Sequence, residues 1–479
     1  MINNTFCRTL QTGAGVQSNQ YQRSQLDNDS IISNIKEVEY YGYTCPTARL
    51  ILIPIENATI FSCSIYTNAG SLLEKDDELG VAHFLEHMTF KGTRKYPNKS
   101  LTAILDMLGS MYNAATSYES TDYELHGLPF HYKQLLDIMI DMYHNSILTN
   151  EDMATERNVI MEEYNMSLDS VGRRLFSGLL DLITKEKYKL YGRPIIGTEE
   201  TILNLELEDL IRYKKKYYYK DPIMITVSGK FLIEDVLPHI EQLMKCTFTI
   251  DDRPLKKNDS NDKITPFRSN TNVKISDRYK FIKAKREQTI ITVTFPSYKA
   301  HNSNLKYVAV LCDILTSGMS GRLYQIIRVI NGLAYNVSVD YDALHEFGTF
   351  TILMSVQNKN IIKALQLLCD SLIQLVTEGI FEHELTKAKN QYMTKLMMMY
   401  QQPSSYFSLY TKPLYYGYEV KNAETTIKEI DKITVNDINK LIKNIINFKQ
   451  MYIVMYGPSK IKNKEIKELI LNAYNKLNK

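Results

Sequence analysis

The chain reads as α+β, two homologous mixed sheet-plus-helix halves, and three observations predict that class. Short β-rich runs alternate with long amphipathic runs along the whole length, a mixture that argues against a barrel or a bundle. A pattern recurs: residues 203–230 and 428–458 each pass from an acidic helix start through a Lys/Tyr- or Lys/Asn-rich helix end to a short β-rich run closed by Gly229 or Gly457. EDMATERN at 151–158 likewise lies over HELTKAKN at 383–390. Between the repeats, residues 251–275 are rich in charge, Asn, Ser and Pro and poor in periodic apolar residues, which is linker composition. The expected division is a polar tail at 1–37, a first half at 38–250, the linker at 251–275 and a second half at 276–479.

Taken in order, strands are expected at 48–54 and 60–66, and a helix through GVAHFLEHMTFKGT at 80–93. Asp76, Asp77 and Glu78 lie where acids favour a helix start, Lys91, Gly92 and Pro97 mark its end, and Val81, Phe84, Leu85 and Met88 give it a packing side. Helices follow at 133–146 and, after the turn-like Thr149-Asn150, as one long amphipathic run over 150–182. Then come strands at 223–228, 289–295 and 348–356 and a helix at 382–400. The alternation T-I-I-T-V-T-F at 289–295 predicts a half-buried strand.

His83, Glu86 and His87 carry the chemistry. On a helix, residues four apart lie nearly above one another and residues three apart flank the same stripe, so both imidazoles reach one ion with Glu86 beside it. Neutral imidazole is a common zinc ligand, and a catalytic zinc keeps one coordination position for water or substrate. A carboxylate next to that position can take a proton from water and pass it to a leaving amine. On the 150–182 helix, Glu156 and Glu163 are seven apart and share a face, whereas Glu162 points about 100° away. One of the pair can complete the zinc sphere while the other supports a ligand through a hydrogen bond.

These strings resemble the pitrilysin-type peptidases, in which the motif is H-x-x-E-H. Within them the chain is most similar to the branch of processing-peptidase beta subunits and their bacterial single-chain relatives. The matching stretches are HFLEHMTFKGT at 83–93, NAATS at 113–117, ERNVIMEE at 156–163, YGRPIIGTEETI at 191–202 and GLAYNV at 332–337, so the likeness spans about residues 38–460. The resemblance implies that the halves enclose a central cavity. It implies His83, His87 and Glu163 as zinc ligands, Glu86 as general base and Glu156 as partner of a ligand. Arg328 and Tyr335 match a pair that in some relatives reaches across to the substrate, with Tyr335 as a donor to the developing oxyanion; the alternative for Tyr335 is a buried structural tyrosine. Asn113, Ala114 and Ser117 match an edge strand that holds substrate in extended form. The chain departs from the branch at Tyr118, where relatives commonly carry Arg.

The resemblance therefore implies a zinc metalloendopeptidase acting on peptide or protein substrates, targeting presequences among them, with a second subunit or a homodimer as its assembly. The contrasting class is a non-catalytic or partner-dependent scaffold subunit of the same fold, which an intact metal motif disfavours. The second half shows no His-x-x-Glu-His over 307–330 and places Lys395 where the first has Glu163, so only the first half is expected to hold the ion.

Other classes recede. With 57 basic and 54 acidic side chains the net charge is +3, too balanced for a nucleic-acid binder. The acidic clusters at 74–78 and 206–209 would favour basic peptides if they lined the cavity. Six scattered cysteines without a C-x-x-C pair read as reduced thiols of an intracellular protein. No continuous apolar run approaches the ~18 residues of a membrane span. The first 26 residues, with Arg8 and Arg23 and no acid, read as a polar tail or a weak mitochondrial address, which leaves cytoplasm and matrix both open.

Overall fold

The computed structural model describes residues 39–97, 99–183, 188–253, 263–264, 278–458 and 461–477. The expected tail at 1–37 and most of the expected linker lie outside the described residues. Strands are β1 (Tyr41–Thr44), β2 (Ala48–Pro54), β3 (Phe61–Thr67), β4 (Met111–Thr116), β5 (Thr121–Gly127), β6 (Ile223–Gly229), β7 (Thr249–Ile250), β8 (Tyr279–Lys283), β9 (Gln288–Ser297), β10 (Ala334–Ala343), β11 (Gly348–Gln357) and β12 (Tyr452–Gly457). The helices that place the site are α1 (Val81–Thr89), α2 (Asn150–Asp169), α3 (Val171–Ile183), α4 (Leu305–Thr316), α5 (Ile361–Glu378) and α6 (Glu382–Tyr400).

Two mixed sheets form, ordered β4-β5-β3-β6-β2-β1-β7 and β10-β11-β9-β12-β8. The second order matches the first five strands of the first, and the match includes direction. β6 runs parallel to β2 and β12 parallel to β8, while the other pairs of both sheets are antiparallel. The repeat seen in the residues is thus a repeat of topology.

Helices cover one face of each sheet, and the opposite face is covered by the other half. On the second sheet, α3 brings Leu175, Leu179, Leu182 and Ile183 against Ile290, Tyr452 and Val454. On the first, Tyr406, Phe407, Tyr410 and Leu414 pack on Ile51, Ile53, Tyr66 and Met224. Each such side chain, fully buried, contributes about 1.5–3 kcal/mol, so this exchange ties the halves together. Gly178 permits the close approach of α3, since a Cβ there would stand 2.8 Å from Val454. Polar contacts add to it: Arg49 Nη1 donates to the carbonyls of Leu414 and Tyr415 at 2.6 and 3.1 Å, and Ser228 Oγ to that of Pro403 at 2.7 Å.

This exchange overturns two sequence expectations. β9 is buried at every position after Gln288 rather than on alternate ones, because α3 covers the face that its own half leaves bare. The run 150–182 is two helices, not one. Ser170 takes an extended conformation (φ −66°, ψ 116°) and its Oγ accepts from Arg173 N at 3.5 Å, so it ends α2 and starts α3 in a new direction. The α5 segment, residues 358–378, is long and apolar enough by length and composition to cross a membrane. Its Ala364, Leu365, Leu368, Leu372 and Leu375 are buried in the core of the second half.

Candidate metal centre

α1 begins at Gly80, whose φ of 92° suits glycine, and a Cβ there would come within 2.5 Å of the Ile196 carbonyl. Gly197 faces it in the same way, since a Cβ there would come within 2.5 Å of the Leu79 carbonyl. The cap is not the expected Asp76, Asp77 or Glu78. Buried Glu74 accepts from Gly80 N and Ala82 N, both at 3.0 Å, as a carboxylate does at a helix N-terminus. Burial pushes the Glu74 carboxyl up, to about 8. Asp76 pairs with Arg193, and Glu78 pairs with Lys75 and with Arg212, which also holds Asp209. These members of the acidic clusters are therefore engaged within the protein rather than presented to a basic ligand.

Val81, Phe84, Leu85 and Met88 anchor α1 in the first core. Its other side presents His83 and His87, ring centroids 4.7 Å apart, to α2. Glu163 Oε2 lies 3.6 Å from His83 Nε2 and 3.4 Å from His87 Nε2. One ligand atom from each of the three side chains falls within 4.8 Å of the others, a spacing that one tetrahedral ion spans. Glu156, two turns before Glu163 and buried, holds His87 Nδ1 at 2.8 Å and pairs with Lys91. That bond points the His87 Nε2 at the shared centre, the usual arrangement for a histidine ligand. Among the described residues His83 Nδ1 is buried without a hydrogen-bond partner, and Nε2 is the atom that faces Glu163.

The protonation states fit a cation site. Burial lowers His83 to about 4, which keeps its ring neutral. Burial also lowers His87, but its bonds to Glu156 and Glu163 outweigh that and raise it to about 9. Two carboxylates that favour a proton on His87 also favour a divalent ion, which competes with the proton for the same ring. Burial raises Glu86, and a hydrogen bond from Thr116 Oγ1 to its Oε2 at 2.6 Å opposes that rise. Thr116, the last residue of β4, was not singled out from the sequence, although it lies inside the NAATS string.

β4 is the edge of its sheet, with Asn113 exposed and Ala114 half-buried. Ser117 is the residue after β4. Its hydroxyl closes a turn by accepting from Ser120 N at 3.0 Å and donating to Ser120 O at 3.1 Å. Arg328 and Tyr335 do meet, the guanidinium 4.6 Å above the Tyr335 ring and 4.8 Å above that of Tyr324. Tyr335 is 74% exposed on β10, which excludes the buried structural tyrosine. Among the described residues neither makes a hydrogen bond or ion pair to the histidines, Glu86 or Glu163.

Two histidines and a glutamate converge on one point, with a second carboxylate, that of Glu86, beside them on a duplicated α+β fold, an arrangement that fits a zinc centre. Comparisons agree. Residues 49–198 match the insulinase description of peptidase family M16, and residues 204–392 match the M16 inactive domain. The chain belongs to peptidase family M16. It is 28% identical over 414 residues to Bacillus subtilis YmxG, named an uncharacterized zinc protease, covering 84% of this chain and 95% of that one. An uncharacterized zinc protease of Rickettsia felis is 28% identical over 393 residues, 80% of this chain and 90% of its own. Two solved structures share the fold: a Helicobacter pylori protease (TM-score 0.74, 18% identity, 88% of this chain and 100% of that chain), and the first half of the periplasmic protease PqqL of Escherichia coli (TM-score 0.72, 17% identity, 92% and 97%).

Proposed function

We propose that the protein is a zinc-dependent metalloendopeptidase that hydrolyses peptides held in extended form between its two halves. The observation that carries this reading is the convergence of His83, His87 and Glu163 within 4.8 Å, beside a buried Glu86 positioned by Thr116. A bound zinc ion supplies Lewis acidity toward the scissile carbonyl and acidifies water to near neutrality.

The chain's own residues do the rest. A substrate strand adds to the outer edge of β4, where main-chain hydrogen bonds align it with little demand on side chains. Thr116 occupies one oxygen of Glu86, leaving the other to take a proton from the attacking water. As the water oxygen bonds to the carbonyl carbon and the C–N bond breaks, Glu86 returns the proton to the amine nitrogen. Glu156 keeps the His87 ring in place throughout, and Tyr335 donates to the carbonyl oxygen as negative charge builds there. Presequence-like peptides are the substrates favoured by the likeness to the processing branch, and a second subunit or second copy of the chain is its expected assembly. The scaffold reading is disfavoured because the ligand set is complete.

The test is Glu86→Gln: zinc should remain bound at one ion per chain while cleavage of quenched fluorescent peptides disappears. Retained turnover in a zinc-loaded Glu86→Gln protein refutes the reading.

A further inference from the structure

We propose that Cys45 and Cys246 are an oxidisable dithiol, and that their disulfide closes a covalent staple over the edge of the first half where the chain leaves it. The two residues are 201 apart in sequence, and the Cys246 thiol donates to Cys45 Sγ at 2.7 Å. The fold brings them there from both sides. β1 and β7 pair antiparallel through Thr44 and Thr249, so the chain just after β1 runs beside the chain just before β7. Lys245 takes a left-handed conformation (φ 53°), uncommon for a residue with a side chain, and ends the helix Ile233–Met244 one residue before Cys246. Glu241 holds that turn, its carbonyl accepting from Cys246 N at 3.3 Å and its carboxylate from Phe248 N at 2.8 Å. Across from it, Cys45 N donates to the Ala48 carbonyl at 2.8 Å.

Cys45 is buried in the first core and Cys246 is half-buried against it. Among the described residues no other two cysteines touch, and no third histidine, cysteine or carboxylate joins the two sulfurs as a metal ligand set would require. The chemistry is therefore that of a dithiol, with a low-molecular-weight disulfide as oxidant. Cys246, as its thiolate, attacks one sulfur of that disulfide, whose S–S bond breaks to release one thiol and leave a mixed disulfide on Cys246. Cys45 then gives up its proton, attacks the Cys246 sulfur and expels the second thiol, so two protein thiols are oxidised while one disulfide is reduced to two thiols. Burial, and then the bond to Cys45, pushes the Cys246 thiol up to about 12, so thiolate is scarce at neutral pH and the exchange is slow. The closed loop contains α1 and α2 and constrains the unfolded chain more than the folded one. Five strands of the sheet separate β1 from β4, about 24 Å at about 4.8 Å each, so the staple stands apart from the peptidase reading.

The experiment brings the full chain to equilibrium with oxidised glutathione, alkylates the remaining thiols after denaturation and maps the unreduced peptides by mass spectrometry. One disulfide-linked pair should appear, joining the peptides of Cys45 and Cys246, with Cys63, Cys312 and Cys369 alkylated. Cys45→Ser should stop at a glutathione adduct on Cys246, and Cys246→Ser should leave Cys45 a thiol. The oxidised wild type should melt about 5–10 °C above the reduced protein, a difference absent from both variants. Recovery of Cys45 and Cys246 as thiols, or in disulfides with other cysteines, overturns the pairing on the wild-type protein alone. Equal melting midpoints for the oxidised and reduced wild type overturn the staple.

Discussion

Glu156→Gln probes the proposed site away from its ligands. The carboxylate sits 2.8 Å from His87 Nδ1, its side chain is only 7% exposed, and it also pairs with Lys91. Glutamine preserves shape and an acceptor oxygen but turns a charge-assisted hydrogen bond into a neutral one, a loss of about 1–1.5 kcal/mol. Lys91 is then left without its counter-ion near a cation site, which moves the expected effect to the upper end. Zinc affinity should therefore fall about tenfold or somewhat more, within the range seen when the partner of a ligating histidine is removed. The assay is competition with a chromogenic chelator at fixed pH, with Glu162→Gln as the matched control on the exposed side of α2. Turnover per zinc-loaded molecule should change far less than affinity. Zinc affinity within twofold of wild type in Glu156→Gln would show that His87 needs no such anchor.

Tyr335→Phe should lower kcat with little change in KM, as expected for a donor acting mainly in the transition state, and unchanged turnover would remove that role. Arg49→Met should destabilise the protein by about 3 kcal/mol in chemical denaturation, because it deprives two carbonyls of the second half and Asp251 of a buried partner. The same cluster sets an acid limit: Arg253 first, then Arg49, hold Asp251 down at about 2 against an ordinary 3.8. Its contribution is complete above pH about 3.8 and is lost as pH falls through about 2, so acid unfolding of Arg49→Met should show a weaker dependence in that window.

Much of this was legible in the residues because it is local. The strands β2, β3, β6 and β11, apolar runs with turn residues at their ends, and the helix α6 fall within a residue or so of their expected bounds. Helical spacing put His83 and His87 on one ion and left Glu156 and Glu163 as alternatives for the third ligand, and the choice of Glu163 came from the likeness to the pitrilysin-type peptidases. What escaped depends on partners distant in sequence. The cap of α1 comes from Glu74, whose carboxylate folds back from outside the helix, and no spacing rule pointed to it over three nearer acids. The alternating Thr residues of β9 look half-solvated until α3 arrives from the other half. Ser170 looked like one more polar residue of a long helix, yet as a cap it ends one helix and starts the next.

The duplication also shows why one half is expected to bind a metal and its twin is not. Glu163 lies 13 residues beyond Asn150 at the start of α2, and Lys395 lies 13 beyond Glu382 at the start of α6. Where α1 presents His83 and His87 one turn apart, α4 carries Val310 and Ile314 one turn apart and fully buried. Between α4, α6 and the edge strand β10 lies a cavity of about 470 Å³ lined by Asp313, Asp340, Tyr341 and Lys395 among others. There Lys395 Nζ sits 2.6 Å from Asp313 Oδ1, and Asp313 is 6% exposed. A carboxylate so buried needs a counter-charge, and a tethered ammonium provides one without imidazole ligands. The second half thus keeps the charge balance of the site with a cation built into the chain, which leaves no demand there for an ion from solution.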